Sequence, residues 1–408
     1  MHMTNSPTKH YLDRKSPPNI STLIVLAAIS ALAMNIYLPS LPNMAQYFGV
    51  DYKVMQLSVA VYLAFSGVIQ LFIGPISDKF GRRPVILWGV GLFCLATLGC
   101  ILATTANTFL IFRMAQATIA VSMVLGRAAI RDLYSTEKAA SMIGYVTMAM
   151  AVVPLFGPAI GGYLEQFYGW RANFWILLVG GVAIFAITWF DFGETARKTS
   201  NTLLQQFAEY PELLRSPRFW GYCLASAFGA GAFFAYLGGA PFVGSTVYGL
   251  APHELGPLFG APGLGYMLGN FISARFSVRI GLNNMVFWGL VVALLGTGLS
   301  LATTYSGNDS VLTFFGFMTL VGLGNGLTIP NATAGMLSVR SHLAGTASGL
   351  GGAIMIGGGA GLSALAGAVL HDDTGAAPLL WIMSGSVFAG LVAIRYVIYR
   401  QKQLNITL

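Results

Sequence analysis

Arg113 lies inside the mostly apolar stretch 107–130, in Phe112-Arg113-Met114-Ala115-Gln116. It stands about two turns from the outer end of that stretch. A charge at bilayer depth costs at least ~2.5–3.5 kcal/mol on insertion scales and normally faces a polar cavity. The chemistry it offers is recognition of charge in a low-dielectric passage. The bland alternative is an arginine snorkelling outward, clear of the passage. Other chemistry is scarce. Cys94, Cys100 and Cys223 all lie in apolar runs, and His2, His10, His253, His342 and His371 fall in tails or loops without ligand-like spacing. No metal, cofactor or disulfide framework is expected. All 14 acids lie in tails, loops or span ends. There is no nucleophile elbow, no H-E-x-x-H and no intramembrane Asp pair, which argues against an enzyme.

The elements that must position such an arginine follow from composition. Of 408 residues, 55% are apolar or aromatic and only 9% charged, against about 25% in a soluble domain. Mean hydropathy is +0.69. The 50 glycines are spread through apolar runs, where membrane helices tolerate them. Cuts at polar and Gly/Pro breaks give twelve spans of about 20 residues or more. They are 21–46, 56–77, 84–104, 107–130, 139–163, 172–192, 218–242, 254–276, 284–304, 310–337, 344–370 and 377–399. Residues 1–20 are polar and lack a small-residue cleavage site, so the first span reads as retained.

The net charge of +8 is distributed by topology and does not indicate nucleic acid. Arginines and lysines cluster at the tails and in every second loop, whereas the alternate loops hold only Lys53 and Arg171. This positive-inside pattern places both termini in the cytoplasm and makes the span count even. A shift of 200 residues pairs Lys79 with Arg279, Gly81 with Gly281, Gly157 with Gly357 and Gly161 with Gly361. The expected organisation is therefore a tail (1–20), a six-helix bundle (21–192), a cytoplasmic linker (193–217), a second bundle (218–399) and a tail (400–408). Two such halves around a central site suit a transporter that rocks one half against the other.

Three motifs sharpen this reading. Gly74-Pro-Ile-Ser-Asp78-Lys-Phe-Gly81-Arg82-Arg83 lies between spans 2 and 3. Gly74 is expected to allow a close helix approach, Gly81 to make the turn, and Asp78 to sit at a positive helix N-terminus. Arg82 is expected to pair with Asp132 at the end of span 4. In span 5, Pro154-Leu-Phe-Gly157-Pro158-Ala-Ile-Gly161-Gly162 combines small residues four apart with a helix-kinking proline. The first motif resembles the G-x-x-x-D-[RK]-x-G-[RK]-[RK] signature of the major facilitator superfamily. The second resembles the G-P-x-x-G-G motif of its drug antiporter branch. Arg113 and Gln116 resemble the superfamily's R-x-x-Q-G, with Ala117 in place of Gly. Tyr37-Leu-Pro39-Ser-Leu-Pro42, Gly126-Arg127 to Arg131-Asp132-Leu133, Pro241-Phe-Val243 and His342-Leu-Ala-Gly345-Thr346-Ala-Ser348 are similar to the Bcr/CflA subfamily.

The resemblance implies an all-α membrane protein with twelve transmembrane helices in two pseudo-symmetric halves. It implies proton-coupled efflux of small amphipathic compounds across the inner membrane by a monomer. The Gly74–Arg83 cluster with Asp132 would latch the gate. Spans 1, 4, 7 and 10 would line the path, through Asn35, Tyr37, Arg113 and Gln116 in one half and Phe233, Phe234, Tyr236, Asn325 and Asn331 in the other. One position departs from the family. Asn35 stands where an exchangeable acid is usual, and Asn does not titrate near neutral pH. Coupling could use a span-end acid such as Asp132 or Glu165, the substrate could carry the charge, or transport could be uncoupled. An importer or exporter of an endogenous metabolite or siderophore is the second functional expectation.

Overall fold

In hydrocarbon each backbone N–H and C=O must be satisfied within its own segment, so apolar spans of this length fold as helices. The computed structural model describes residues 12–14, 16–134, 136–196, 210–340, 343–371 and 373–403. Its spans are α1 (Ile20–Phe48), α2 (Tyr52–Phe80), α3 (Arg82–Leu102), α4 (Ala106–Leu133), α5 (Thr136–Tyr168) and α6 (Arg171–Asp191). After them come α7 (Pro217–Val247), α8 (Pro252–Phe259 with Ala261–Ile280), α9 (Leu282–Tyr305), α10 (Val311–Ser338), α11 (Ala344–Val369) and α12 (Ala377–Gln403). Ten are long and apolar enough to cross a membrane on those grounds alone. The helices α5 and α8 complete twelve. The linker expected at 193–217 falls largely on residues 197–209, outside the described residues, as do most of the two tails.

Two of the first-half helices are interrupted. Pro39 has no N–H to offer the preceding turn. The first part of α1 therefore stops at Asn35, a 3₁₀ turn covers Leu38–Ser40, and the helix restarts at Leu41. In α4 the α-helix Ala106–Gln116 passes through a 3₁₀ turn, Ala117–Ile119, before resuming at Ala120. By contrast α5 runs unbroken through Pro154 and Pro158.

The two six-helix bundles meet along two helix pairs, α2 with α11 and α5 with α8. A shift of six helices exchanges α2 with α8 and α5 with α11, so the two seams are related by the internal repeat. Gly81 and Gly281 occupy the same place in it. Each ends a helix at φ +97° or +88°, a left-handed region that a side chain would disfavour, and the next helix begins at once. The seam is closed at the face opposite the arginine-rich loops. There Tyr52 Oη donates to Gly238 O (2.7 Å), and Gln56 Nε2 donates to Ser363 O (2.5 Å) and Oγ (2.9 Å). His253 Nδ1 and Gln166 Oε1 lie 3.3 Å apart. Among the described residues, every hydrogen bond found between the halves lies toward this face.

The arginine-rich end of α6 also holds the start of the chain. Asp191 is fully buried and accepts from Leu12 N (2.9 Å), Asn19 N (2.9 Å) and Thr22 Oγ1 (2.6 Å). It thereby fixes the entry of α1. Asp191→Ala would strand three donors, and hydrogen bonds to a charged acceptor contribute about 1.5–3 kcal/mol. The variant should unfold at lower temperature in detergent and become sensitive to protease near Leu12. An unchanged melting curve would show that Asp191 does not anchor α1.

Candidate functional site

The first-half residues expected to line a path gather around Arg113. Its guanidinium is fully buried. Nη1 donates to Gln116 Oε1 (2.7 Å), and Nη2 donates to Ala33 O (2.8 Å). The ring of Tyr37 lies 4.3 Å from it and that of Tyr62 lies 4.1 Å away. Among the described residues no carboxylate pairs with Arg113. The compensation comes instead from two π faces and from α1 itself. Ala33 lies in the last turn of the first α1 segment, where the carbonyl dipoles point outward and favour a cation. The Pro39 break therefore creates the acceptor that Arg113 uses.

The surrounding side chains hold this arrangement. Gln116 is turned toward α3, with Nε2 donating to Thr97 Oγ1 (2.8 Å) while Oε1 takes the arginine. Tyr37 Oη and Ser58 Oγ lie 3.1 Å apart. Asn35 is buried; its Nδ2 donates to Ala31 O in its own helix (2.8 Å), and its Oδ1 has no hydrogen-bond partner. Its back-bond to the preceding turn leaves the amide oxygen as an unused acceptor beside α5. A Cβ on Gly157 would lie 3.9 Å from Asn35 Cβ and 3.3 Å from Leu32 Cδ1.

Gly161 and Gly162 face opposite neighbours. A Cβ on Gly161 would overlap Ile36 O of α1, and one on Gly162 would overlap Pro252 O of α8. Pro158 contributes its carbonyl, which a Cβ on Gly256 of α8 would strike. Pro154 lies one turn further along α5, half-buried. The Gly/Pro motif is thus the strip that lets α5 fit between α1 in its own half and α8 in the other.

The loop between α2 and α3 forms a separate cluster. Arg82 Nη2 pairs with Asp78 Oδ1 (2.7 Å) and Arg82 Nε with Asp132 Oδ2 (3.2 Å), while Nη1 donates to Ser77 Oγ. Two expectations find no support here. Asp78 lies in the last turn of α2 and pairs with Arg82, and among the described residues no backbone N–H of a helix N-terminus is found donating to it. At the start of α3 that place belongs to Glu194, which accepts from Arg82 N (2.8 Å) and Arg83 N (3.3 Å). Nor does Gly74 mark a close approach in this conformation, since a Cβ there would meet nothing within 4 Å. Its carbonyl accepts from Ser77 Oγ (2.7 Å). Arg83 donates to Trp189 O (2.8 Å) and lies over the Trp189 ring.

The second-half residues do not join the Arg113 cluster. Phe233 is the one with exposed surface; it stacks on Tyr236, whose Oη donates to Phe259 O of α8 (3.1 Å). Phe234 packs where a side chain on Gly359 of α11 would be. Asn331 ties α10 to α8 through Ser273 Oγ (2.8 Å). Asn325 is 3% exposed, with its Oδ1 unpaired. Arg127 is a second cation inside the span that holds Arg113. The helix α4 extends to Leu133 and so includes Arg127, which remains half-buried. Tyr62 and Glu194 were missed because neither carries a motif; only their packing reveals them.

Breaking the loop cluster tests whether it governs conformation. Asp78→Asn and Glu194→Gln should each slow turnover several-fold while leaving equilibrium ligand affinity within about twofold, since neither side chain approaches the Arg113 cluster. Wild-type turnover in both variants would exclude a gating role.

Residues 23–364 match the family model of the Major Facilitator Superfamily. The chain is 31% identical over 324 residues to the chloramphenicol resistance protein of Pseudomonas aeruginosa, covering 78% of this chain and 76% of that one. It is 28% identical over 384 residues to a bicyclomycin resistance protein homolog of Haemophilus influenzae, covering 92% and 94%. With multidrug resistance protein D of Escherichia coli it shares 30% over 368 residues, covering 89% and 92%. Its fold is that of a D-xylose-proton symporter (TM-score 0.74, 15% identity, covering 93% and 96%). A bacterial homolog of the human lysosomal transporter Spinster, in an inward-facing and occupied conformation, has the same fold (TM-score 0.69, 17% identity, covering 94% and 96%). The chain belongs to the Major Facilitator Superfamily, as a multi-pass membrane transporter related to drug-resistance carriers of the Bcr/CflA type.

Proposed function

We propose that this transporter exports small amphipathic compounds across a bacterial inner membrane by alternating access, with the arginine-rich loops and both termini in the cytoplasm. The observation that carries the reading is the Gly/Pro strip of α5 wedged between α1 and α8. It makes the seal between the halves depend on backbone-to-backbone contact at the far face. Rocking about such a seam opens one face as the other closes. The names of the relatives, with resistance to chloramphenicol and bicyclomycin among them, support export and small organic substrates. The loop cluster of Asp78, Arg82, Asp132 and Glu194 acts on this reading as a latch at the cytoplasmic face.

Energy coupling rests on a second observation. Proton exchange at the centre of the first half would need a titratable carboxylate or histidine beside Arg113. Asn35 stands two residues from Ala33, whose carbonyl holds Arg113, and no acid is found in that cluster among the described residues. This favours movement driven by membrane potential through a charge on the substrate over exchange of a proton at α1. Energised everted vesicles with an internal pH dye separate the two. Addition of charged amphipathic compounds should leave the pH gradient standing while labelled compound still moves. Collapse of the gradient that requires the protein would establish proton antiport and direct attention to a carboxylate elsewhere.

Arg113 carries its own test. Arg113→Ala should weaken binding of at least one compound of the panel about tenfold or more, because it removes two hydrogen bonds from a charged donor and unseats two tyrosine rings. Unchanged affinity throughout would make Arg113 a packing residue of α4.

A further inference from the structure

Arg127 is the second cation within α4, four turns beyond Arg113 toward the arginine-rich face. Fourteen residues of helix advance about 21 Å and return to nearly the same side. Its surroundings differ from those of Arg113. Nη2 has only the thioether of Met150 on α5, at 3.7 Å, and Nε has no partner. A methionine sulfur is a weak acceptor and neutralises nothing. Across the seam, Tyr266 of α8 is its electrostatic neighbour from the other half; the further charge near it, Arg131, is another cation. No carboxylate pairs with Arg127 among the described residues. Arg127, Met150 and Tyr266 all keep some exposed surface. They stand on α4, α5 and α8, away from the face where the hydrogen bonds found between the halves lie among the described residues.

An arginine inside a span without an acid, a carbonyl or an aromatic sandwich is an incomplete site. Desolvating a guanidinium is costly, and proteins normally offset it with a partner. Arg113 also leaves its Nε unpaired, but both its Nη atoms are hydrogen-bonded to oxygen and its guanidinium lies against two tyrosine rings. Arg127 has no such partners, and its fork geometry suits a carboxylate, sulfonate or phosphate oxygen pair. Asn35 is uncharged and so sets no negative charge against an anion in the passage.

We propose that Arg127, with Tyr266 opposite it, binds the negatively charged group of the transported molecule, so that the substrates are amphipathic organic anions. The inference rests on the reading of the chain as a carrier of small amphipathic compounds and narrows it to one charge class. An anion entering from the arginine-rich face meets Arg127 before it reaches the aromatic surface of Phe233. Tyr266 brings α8 of the opposite half close enough to interact electrostatically with Arg127, so an anion bound there lies beside both halves.

The test uses two probes that share a fluorophore and differ in charge, dansyl sulfonate (5-dimethylaminonaphthalene-1-sulfonate) and the neutral dansylamide. Binding to the full chain in lipid nanodiscs is followed by energy transfer from tryptophan. Wild-type protein should bind the sulfonate about tenfold more tightly than the amide, the scale of one charge-assisted hydrogen bond. Arg127→Gln should abolish that preference while leaving dansylamide affinity within about twofold. Arg127→Lys should retain part of it and checks that the position tolerates exchange. Equal binding of both probes by the wild type overturns the proposal, as does a preference that survives in Arg127→Gln. If dansylamide alone binds, carriage of amphipathic compounds stands and the anion assignment falls. If neither binds, the anion assignment falls, and the vesicle measurement decides separately whether compounds are moved at all.

Discussion

The burial of Arg113 without an acid is the constraint from which the first half is built. A guanidinium in this position must be offset by dipoles and π faces, because no carboxylate is at hand. That requirement recruits Tyr37, Tyr62, Gln116 and the carbonyl of Ala33. The carbonyl is free because Pro39 ends the first segment of α1 a few residues later. The charge thus couples three helices at one point, and the break in α1 is part of the coupling. An asparagine at position 35 is compatible with this balance in a way an aspartate is not required to be. With the cation already offset, a second charge would have to be offset in turn or would have to exchange it.

The seam between the halves follows from small residues where two backbones touch. On α5 the glycines alternate their service, Gly161 to α1 and Gly162 to α8. Any movement of α8 on α5 is therefore felt at Ile36, one residue from Asn35 and three from Ala33, the carbonyl that holds Arg113. The equivalent strip of α11 is not used in the same way. Side chains on Gly357 or Gly361 would meet nothing within 4 Å, although the Gly357 backbone lies against Gly67 of α2. The repeat preserves the places of these glycines while the two halves have put them to different uses.

Much of this was legible in the sequence, for physical reasons that can be named. Twelve spans follow from the hydropathic length needed to cross a bilayer, and the pairing of Arg82 with Asp132 follows from charges left at facing loop ends. The turn at Gly81 was legible because a helix-to-helix junction of one residue demands a positive φ that favours glycine. What escaped were interactions set by rotation of a helix about its axis. Position alone could not tell that Gln116 turns to Thr97 or that Asn331 turns to Ser273. Glu194 escaped for a related reason. An acid after a span end looks like any loop acid until the N-terminus of α3 is seen to lie beside it.

The two arginines of α4 then divide the labour of one charge between structure and ligand. Arg113 is enclosed by protein, whereas Arg127 keeps exposed surface on the unsealed side. Arg113, with both Nη atoms hydrogen-bonded and two tyrosine rings against it, can transmit movement between helices and has only its Nε left unpaired. A cation with a thioether for company gains much from a new partner. Since binding shifts a conformational equilibrium only through differential contact with the two states, the cation that lies between halves is the one able to couple substrate to rocking. Arg127 touches α5 of its own half and faces Tyr266 of the other, whereas every partner of Arg113 lies within the first bundle. Sensing the substrate and holding α1 in place are in this way assigned to different residues of one helix.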